Sequence, residues 1–513
     1  MSNTGQGTMS AWQNFERAYL NRQALSLLFL GFAAGVPILL VFSSLGLWLR
    51  EAGIDRATVT MFGWATLAYS FKFIWSPLVD ALPLPILKNR LGHRRSWLFL
   101  TQILVIVALV LMAMFDPASG ESALYLMAFS CVLLGFSAAS QDIVIDAYRI
   151  ESAPASMQTA LSASYVAGYR IGMIVSGAGA LYLADFFGSS METYSYAAWQ
   201  KTYLIMAAVM LIAVFTTLSI KEPTIDRKPI GNDTKDYARL VLVFGLSVVA
   251  FIIGYNLIGG ALPETDGVLT GFLLGSVQFI GSIFLFGLTS WLSVNAGVAP
   301  KSVVQQAWLT PITEFFERYG KKAIYVLALI GLYRVSDVVA GNISNIYYQD
   351  LGFSKTQIAT AVKMVGVWAG IVGGFIGGYL AQATNIMRAM TIGAILACLT
   401  NLLFVALFYL PNAPMMYTAV IIDNLAAGLA SAIFVAFLSA LTSIRFTAVQ
   451  YALFSSLMTL FPKVLGGYSG AIVEATNYSF FFGFTFAIGL PVLILIYLVN
   501  KHIQIGQPKI GDE

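Results

Sequence analysis

Runs of about 20 apolar residues recur along this chain from Ala24 to Asn500, and each is long enough to cross a hydrocarbon core of about 30 Å as an α-helix. The chain is 58% hydrophobic and 11% charged, against about 25% charged residues in a soluble domain. A soluble globule of 513 residues would leave that apolar surface in water, so the sequence reads as a polytopic α-helical membrane protein. Residues 1–23 are polar and hold no short apolar core with a small-residue cleavage site, so we expect no removable signal peptide and a first helix that serves as its own insertion signal. Cys131 and Cys398 stand singly in apolar runs and read as packing residues.

Helices are expected at 24–49, 58–81, 96–115, 122–147, 157–186 and 200–219, and a second set at 323–348, 355–382, 386–409, 415–442, 447–473 and 478–500. Two six-helix halves, 24–220 and 323–500, therefore lie between an N-terminal segment 1–23 and a tail 501–513. The intervening 221–322 carries an extra hairpin, 237–258 and 267–294, which makes fourteen transmembrane helices. Segment 302–319 reads either as an amphipathic helix on the membrane surface or as a polar linker.

Lys and Arg placement sets the orientation, because cytoplasmic loops accumulate them. One side would hold Arg17, Arg22, Lys88, Arg90, Arg94, Arg95, Arg149, Lys221, Arg227 and Lys228, with further basic residues in the later loops. The other would hold only Arg50, Arg56, Lys201 and Lys355. Both termini are thus expected in the cytoplasm, provided that the hairpin spans twice.

Five cations lie within the apolar runs: Lys72, Arg170, Arg334, Lys363 and Lys463. A cation near the bilayer centre costs at least about 2.5 kcal/mol, so such residues face a water-filled cavity, a partner or a ligand. Against them stand three clearly embedded acids, Asp142, Asp337 and Asp423, while Asp146 and Glu474 lie near helix ends. The surplus of positive charge suits an anionic ligand. Arg170 and Arg334 are the better carboxylate binders, since guanidinium bonds in bidentate fashion; Lys72, Lys363 and Lys463 would act as point charges. The competing reading is that each cation pairs with an acid and holds helices in register, as Arg334 and Asp337 could at i,i+3.

The two halves resemble each other. The first has Asp80 followed by Gly92-His93-Arg94-Arg95; the second has Gly377-Gly378-Tyr379-Leu380-Ala381-Gln382 followed by Arg388. This resembles the signature loop of the major facilitator superfamily, which implies a gating role for Asp80, Arg94 and Arg95. The first copy has Ser76-Pro77 where that family usually has Gly, and the second has Gln382 in place of the acid. Helix 157–186 joins Arg170 to Gly168 and Gly172, and helix 447–473 joins Lys463 to Gly466 and Gly470, spacings that let helices approach closely. Such duplicated halves enclose a midplane cavity.

A narrower resemblance, to the AmpG-type muropeptide permeases, rests on Gly31-Phe32-Ala33-Ala34-Gly35-Val36-Pro37, Phe71-Lys72-Phe73-Ile74-Trp75-Ser76-Pro77, Ser140-Gln141-Asp142-Ile143, Gly168-Tyr169-Arg170-Ile171-Gly172, Leu332-Tyr333-Arg334 with Asp337, Asp423-Asn424-Leu425, and Gln450-Tyr451-Ala452-Leu453. It covers nearly all of both halves. It implies import of 1,6-anhydro-muropeptides from periplasm to cytoplasm for peptidoglycan recycling, across the bacterial inner membrane and driven by the proton gradient. In some bacteria it also implies a part in β-lactamase induction. The hairpin at 237–294 departs from the family pattern.

Proton coupling needs a carboxyl group that senses both burial and a nearby cation. Asp142 is the first candidate, with Asp337 and Asp423 behind it, and a structural salt bridge is the competing role for each. Tyr69, Tyr169, Tyr333 and Trp368 at mid-helix depth could pack against sugar, with Gln141, Asn424 and Gln450 as polar partners. No cofactor, metal or nucleic acid is expected, and the chain is expected to work as a monomer in lipid. The alternatives are a carrier of another bulky anion such as an acyl-coenzyme A and, less well supported, an integral-membrane enzyme. His93 and His502 lie far apart on the cytoplasmic side and give no embedded pair for metal or base chemistry.

Overall fold

The structure, a computed structural model, describes residues 19–503 apart from 42, 56–57, 60–61, 63–64, 66, 155–156, 191, 226–233, 264–267 and 467–468. All regular elements among the described residues are helical, and 13 of the helices are long and apolar enough to cross a membrane. The expected second span falls partly outside the described residues and is described in three pieces, Leu67–Phe71, Lys72–Ile74 and Ser76–Ala81. We number α1 (Arg22–Glu51), α2 (those three pieces), α3 (His93–Met114), α4 (Glu121–Glu151), α5 (Gln158–Phe186) and α6 (Tyr196–Ser219). The hairpin is α7 (Thr234–Ala261) and α8 (Val268–Asn295). The second set is α9 (Ala323–Leu332 and Val335–Asp350), α10 (Thr360–Ala383), α11 (Ile386–Tyr409), α12 (Ala413–Leu441), α13 (Thr447–Gly466 and Ser469–Ala475) and α14 (Tyr478–His502).

Local chemistry explains where several helices start. Asn385, Asn412 and Asn477 each accept a backbone N–H from the first turn of α11, α12 and α14, and Ser195 does the same for α6. These side chains satisfy donors that a helix start otherwise leaves unpaired. Segment 301–319 is helical rather than a linker, as Lys301–Val304, Gln305–Leu309 and Thr310–Tyr319.

The halves are knitted by glycine. A Cβ on Gly31 or Gly35 of α1 would run into the carbonyls of Tyr165 and Tyr169 of α5, while one on Gly168 or Gly172 would run into those of Leu28 and Phe32. The two backbones therefore interlock with no side chain between them, as the Gly168/Gly172 spacing predicts. In α13, a Cβ on Gly470 would meet nothing within 4 Å. The second half makes its close approach elsewhere, with Gly373 and Gly377 of α10 against the Leu425 and Leu429 backbone and Gly428 of α12 against Gly370.

The chain divides into two compact units, one of Met1–Ser76, Leu84–Ile225 and Tyr319–Glu513, the other of Pro77–Pro83 and Asp226–Arg318. The first unit holds most of both six-helix halves. In the second, α7 and α8 pack face to face: Gln278 Nε2 donates to the Tyr255 carbonyl at 2.8 Å, and the Phe251 and Phe279 rings meet edge-on at 5.8 Å.

Candidate functional site

We call the end at which α1 and α13 begin and α4 finishes the basic end. Here the first half meets the second through buried charge. Arg94 grips Glu151 with two hydrogen bonds, Nε to Oε2 at 2.9 Å and Nη2 to Oε1 at 2.6 Å, and Nη2 also donates to Thr447 Oγ1 at 2.9 Å. The Thr447 hydroxyl in turn bonds Glu151. Beside it, Arg149 lies 3.3 Å from Asp146 and donates to Ser439 Oγ of α12 at 2.6 Å, with its guanidinium 5.0 Å from the Tyr451 ring centroid. Arg94, Glu151 and Arg149 are essentially inaccessible to solvent. Removing one partner of such a buried pair costs about 3–5 kcal/mol, and the bonds to Thr447 and Ser439 tie the two halves together at this end. Tyr19 adds a clasp by donating to the Phe375 carbonyl of α10 at 3.2 Å. Burial pushes its hydroxyl pKa up to about 12, so it remains a proton donor at physiological pH.

Lys72 stands one layer deeper. Its Nζ lies 3.7 Å from Asp142 and 3.5 Å from Asp146, all three side chains being buried. Charge thus runs continuously from Asp142 through Lys72, Asp146 and Arg149 to Ser439 in the other half. The Oδ1 of Asp142, the Tyr69 hydroxyl, Ser137 Oγ and Gln141 Oε1 are buried beside this chain with no hydrogen-bond partner among the described residues. Gln141 Nε2 is anchored to the Ala33 carbonyl at 3.0 Å.

The local backbone explains how Lys72 is presented. Pro77 has no N–H to give the Phe73 carbonyl, Ser76 Oγ takes that carbonyl at 3.1 Å, and the chain tightens to a 3₁₀ turn at Lys72–Ile74. α9 likewise breaks before Arg334, whose φ of −103° and ψ of 11° leave the helix. Its guanidinium holds Asp337 Oδ2 at 2.7 and 3.2 Å, and Asp337 sits in the first turn of the new helix, where the macrodipole favours an acid. Lys363 lies on a π-helical stretch, Ala359–Gly366, with its side chain outside the described residues. Such breaks recur at binding sites in transporters.

Arg170 differs from these cations. Its guanidinium reaches across to Gly370 of α10, where only the missing Cβ makes room for it. It has no hydrogen bond or ion pair among the described residues, although Arg334, Asp337 and Asp423 lie within electrostatic reach. Asp423 accepts a hydrogen bond from Thr400 at 2.9 Å. Lys463 is exposed yet lies between the halves, where Nζ donates to Ser70 Oγ of α2 at 3.3 Å, and no carboxylate pairs with it among the described residues. At 1.5 Å per residue, Asp142 and Arg170 lie about 14 and 18 Å along their helices from the basic end, which is mid-membrane depth.

Residues 24–333 match the family model of the Major Facilitator Superfamily, and the chain is 31% identical, over 95% of its length and 82% of the relative's, to the anhydromuropeptide permease of Escherichia coli K12. The chain belongs to the major facilitator superfamily, among the AmpG-type permeases. The fold of this facilitator resembles the transporter FucP in its outward conformation, with a TM-score of 0.57, 12% identity and coverage of 95% of this chain and 100% of that one. It also resembles the proton:xylose symporter XylE, with a TM-score of 0.53, 13% identity and coverage of 96% and 97%.

Several expected site residues of this facilitator make structural contacts of their own. Tyr333 stacks on Phe434 at 4.4 Å and donates to the Met390 carbonyl, as a core residue does. Trp368 is 60% exposed on a stripe with Met364, Val372, Ile376 and Tyr379, a different face of α10 from Gly370. Gln450 accepts the Ser443 backbone N–H at 2.8 Å and staples the loop before α13. Asn424 Nδ2 is turned to the Val420 carbonyl at 2.9 Å. Asp80 falls in the second unit, and Arg94 holds Glu151 by two hydrogen bonds. Arg95 caps α6 through the Thr217 and Leu218 carbonyls at 3.0 and 2.8 Å. Asp146, set aside from the sequence as too near a helix end, is buried. Each of the pairs Arg94–Glu151 and Arg149–Asp146 adds one charge of either sign, so the surplus of cations stands.

Proposed function

We propose that this facilitator imports 1,6-anhydro-muropeptides from the periplasm into the cytoplasm, coupled to proton entry, with both termini in the cytoplasm. The observation that supports this reading most is the guanidinium of Arg170 between α5 and α10, unpaired among the described residues, in a chain related over nearly its whole length to a permease of that name. A peptide carboxylate takes the free fork of Arg170 in bidentate fashion, and Lys463 supplies a second positive charge. Tyr69, Tyr169 and Gln141 offer flat faces and polar atoms to the sugars. Asp142 carries the proton: when it is neutral, Lys72 belongs to Asp146 alone, the hold of Asp146 on Arg149 weakens, and the lock at the basic end opens. Substrate and proton thereby bias the same two-state element. With the lock closed at the cytoplasmic end, the protein awaits substrate from the other side.

Titration calorimetry with the purified full chain tests the ligand. An anhydro-disaccharide tetrapeptide should bind, and its carboxamide analogue or the Arg170→Ala variant should reduce affinity about tenfold or more, the value of a charge-assisted hydrogen bond. Equal binding of the amidated ligand, or binding of an acyl-coenzyme A in its place, would refute the assignment.

A further inference from the structure

A groove of about 590 Å³ runs between α1 and α6 at the basic end. Leu25 and Phe29 line one wall and Ile212 and Phe215 the other, all four being exposed. The polar side chains along it contribute nothing to its interior. Ser26 Oγ is bonded to the Arg22 carbonyl at 2.7 Å, Thr216 Oγ1 to Ile212 at 2.7 Å and Ser219 Oγ to Phe215 at 2.8 Å. The groove is therefore hydrocarbon-like along its length, about 10 Å at 1.5 Å per residue. At its mouth stands Arg22, whose guanidinium spends one donor on the Ser219 carbonyl at 2.7 Å and makes no other hydrogen bond or ion pair among the described residues. The exposed Lys221 follows directly on that wall. The nearby acid, Glu222, is committed elsewhere, accepting the backbone N–H groups of Arg94 and Arg95 at 2.7 and 3.0 Å.

We propose that this groove is a binding site for an anionic phospholipid of the adjoining leaflet, with an acyl chain between α1 and α6 and the phosphate on Arg22. A leaflet is about 15 Å of hydrocarbon deep, so a chain fills the groove while its headgroup lies level with the helix ends. An apolar slot closed by an underused guanidinium matches a molecule with one apolar tail and one anionic head; a partner helix would leave that cation unanswered.

Native mass spectrometry of the full chain in neutral detergent, titrated with phosphatidylglycerol or with phosphatidylcholine of the same chains, reads the first binding step. Phosphatidylglycerol should bind more tightly. Arg22→Gln should weaken it about fivefold, the value of one basic residue at a membrane surface, and erase the preference, while Arg22→Lys should keep it. Ser26→Phe, which fills the slot, should weaken both lipids, and Arg50→Gln at the opposite end should change neither. If Arg22→Gln retains the wild-type preference, or if Ser26→Phe leaves both affinities unchanged, the site is refuted. Should Arg22→Gln fail to fold, the Ser26→Phe and Arg22→Lys measurements decide.

Discussion

Arg170 and Gly370 form one device at the scale of single residues, because the guanidinium occupies the space that a Cβ would take. Gly370→Ala should displace a flexible side chain and weaken ligand binding about as much as Arg170→Ala does, with little change in melting temperature. Gly168→Ala, whose Cβ would strike the Leu28 backbone, should instead destabilise the fold by about 1–3 kcal/mol, the cost of overpacking. Thermal unfolding and calorimetry on the two variants separate these outcomes. The cations were legible in the sequence because charge inside an apolar run stands out. The pairing of Arg334 with Asp337 was legible too, from their i,i+3 spacing; the partners of Arg94 were not, because Glu151 and Thr447 lie on different halves and meet it only in the fold, where α4 continues to Glu151 beyond its expected end at 147.

Helices carry the lock and the breaks that present the cations. Glu151→Gln should loosen the grip on Arg94 and raise the labelling of cysteines introduced on α5 and α13 near the basic end, with a loss of thermal stability in the closed state. Unchanged labelling would make Glu151 a helix anchor and nothing more. Ser76→Ala should cost about 1–3 kcal/mol by leaving the Phe73 carbonyl unsatisfied, a loss visible as a lower melting temperature. Most of the 13 long apolar helices could be read from hydropathy, since a bilayer allows few lengths. The breaks could not: Pro77 follows one and Gly331 precedes the other, but such residues are common in membrane helices and hydropathy is blind to both breaks.

At the scale of the whole molecule, the two halves close on each other at the basic end through Arg94, Glu151, Arg149, Ser439 and Thr447, and Asp142 is wired to that closure through Lys72. Asp142→Asn fixes the neutral state, so exchange of substrate across the membrane should persist while accumulation driven by a proton gradient is lost. Wild-type accumulation by this variant would move coupling to Asp337, Asp423 or the substrate's own carboxylates. The most direct measurement of the central claim is uptake of a labelled 1,6-anhydro-disaccharide tetrapeptide into proteoliposomes holding the purified chain, with the outside made acidic. The account predicts accumulation above the external concentration, collapsed by a protonophore and absent in Arg170→Ala; folded wild-type protein that takes up no more than empty vesicles would contradict it.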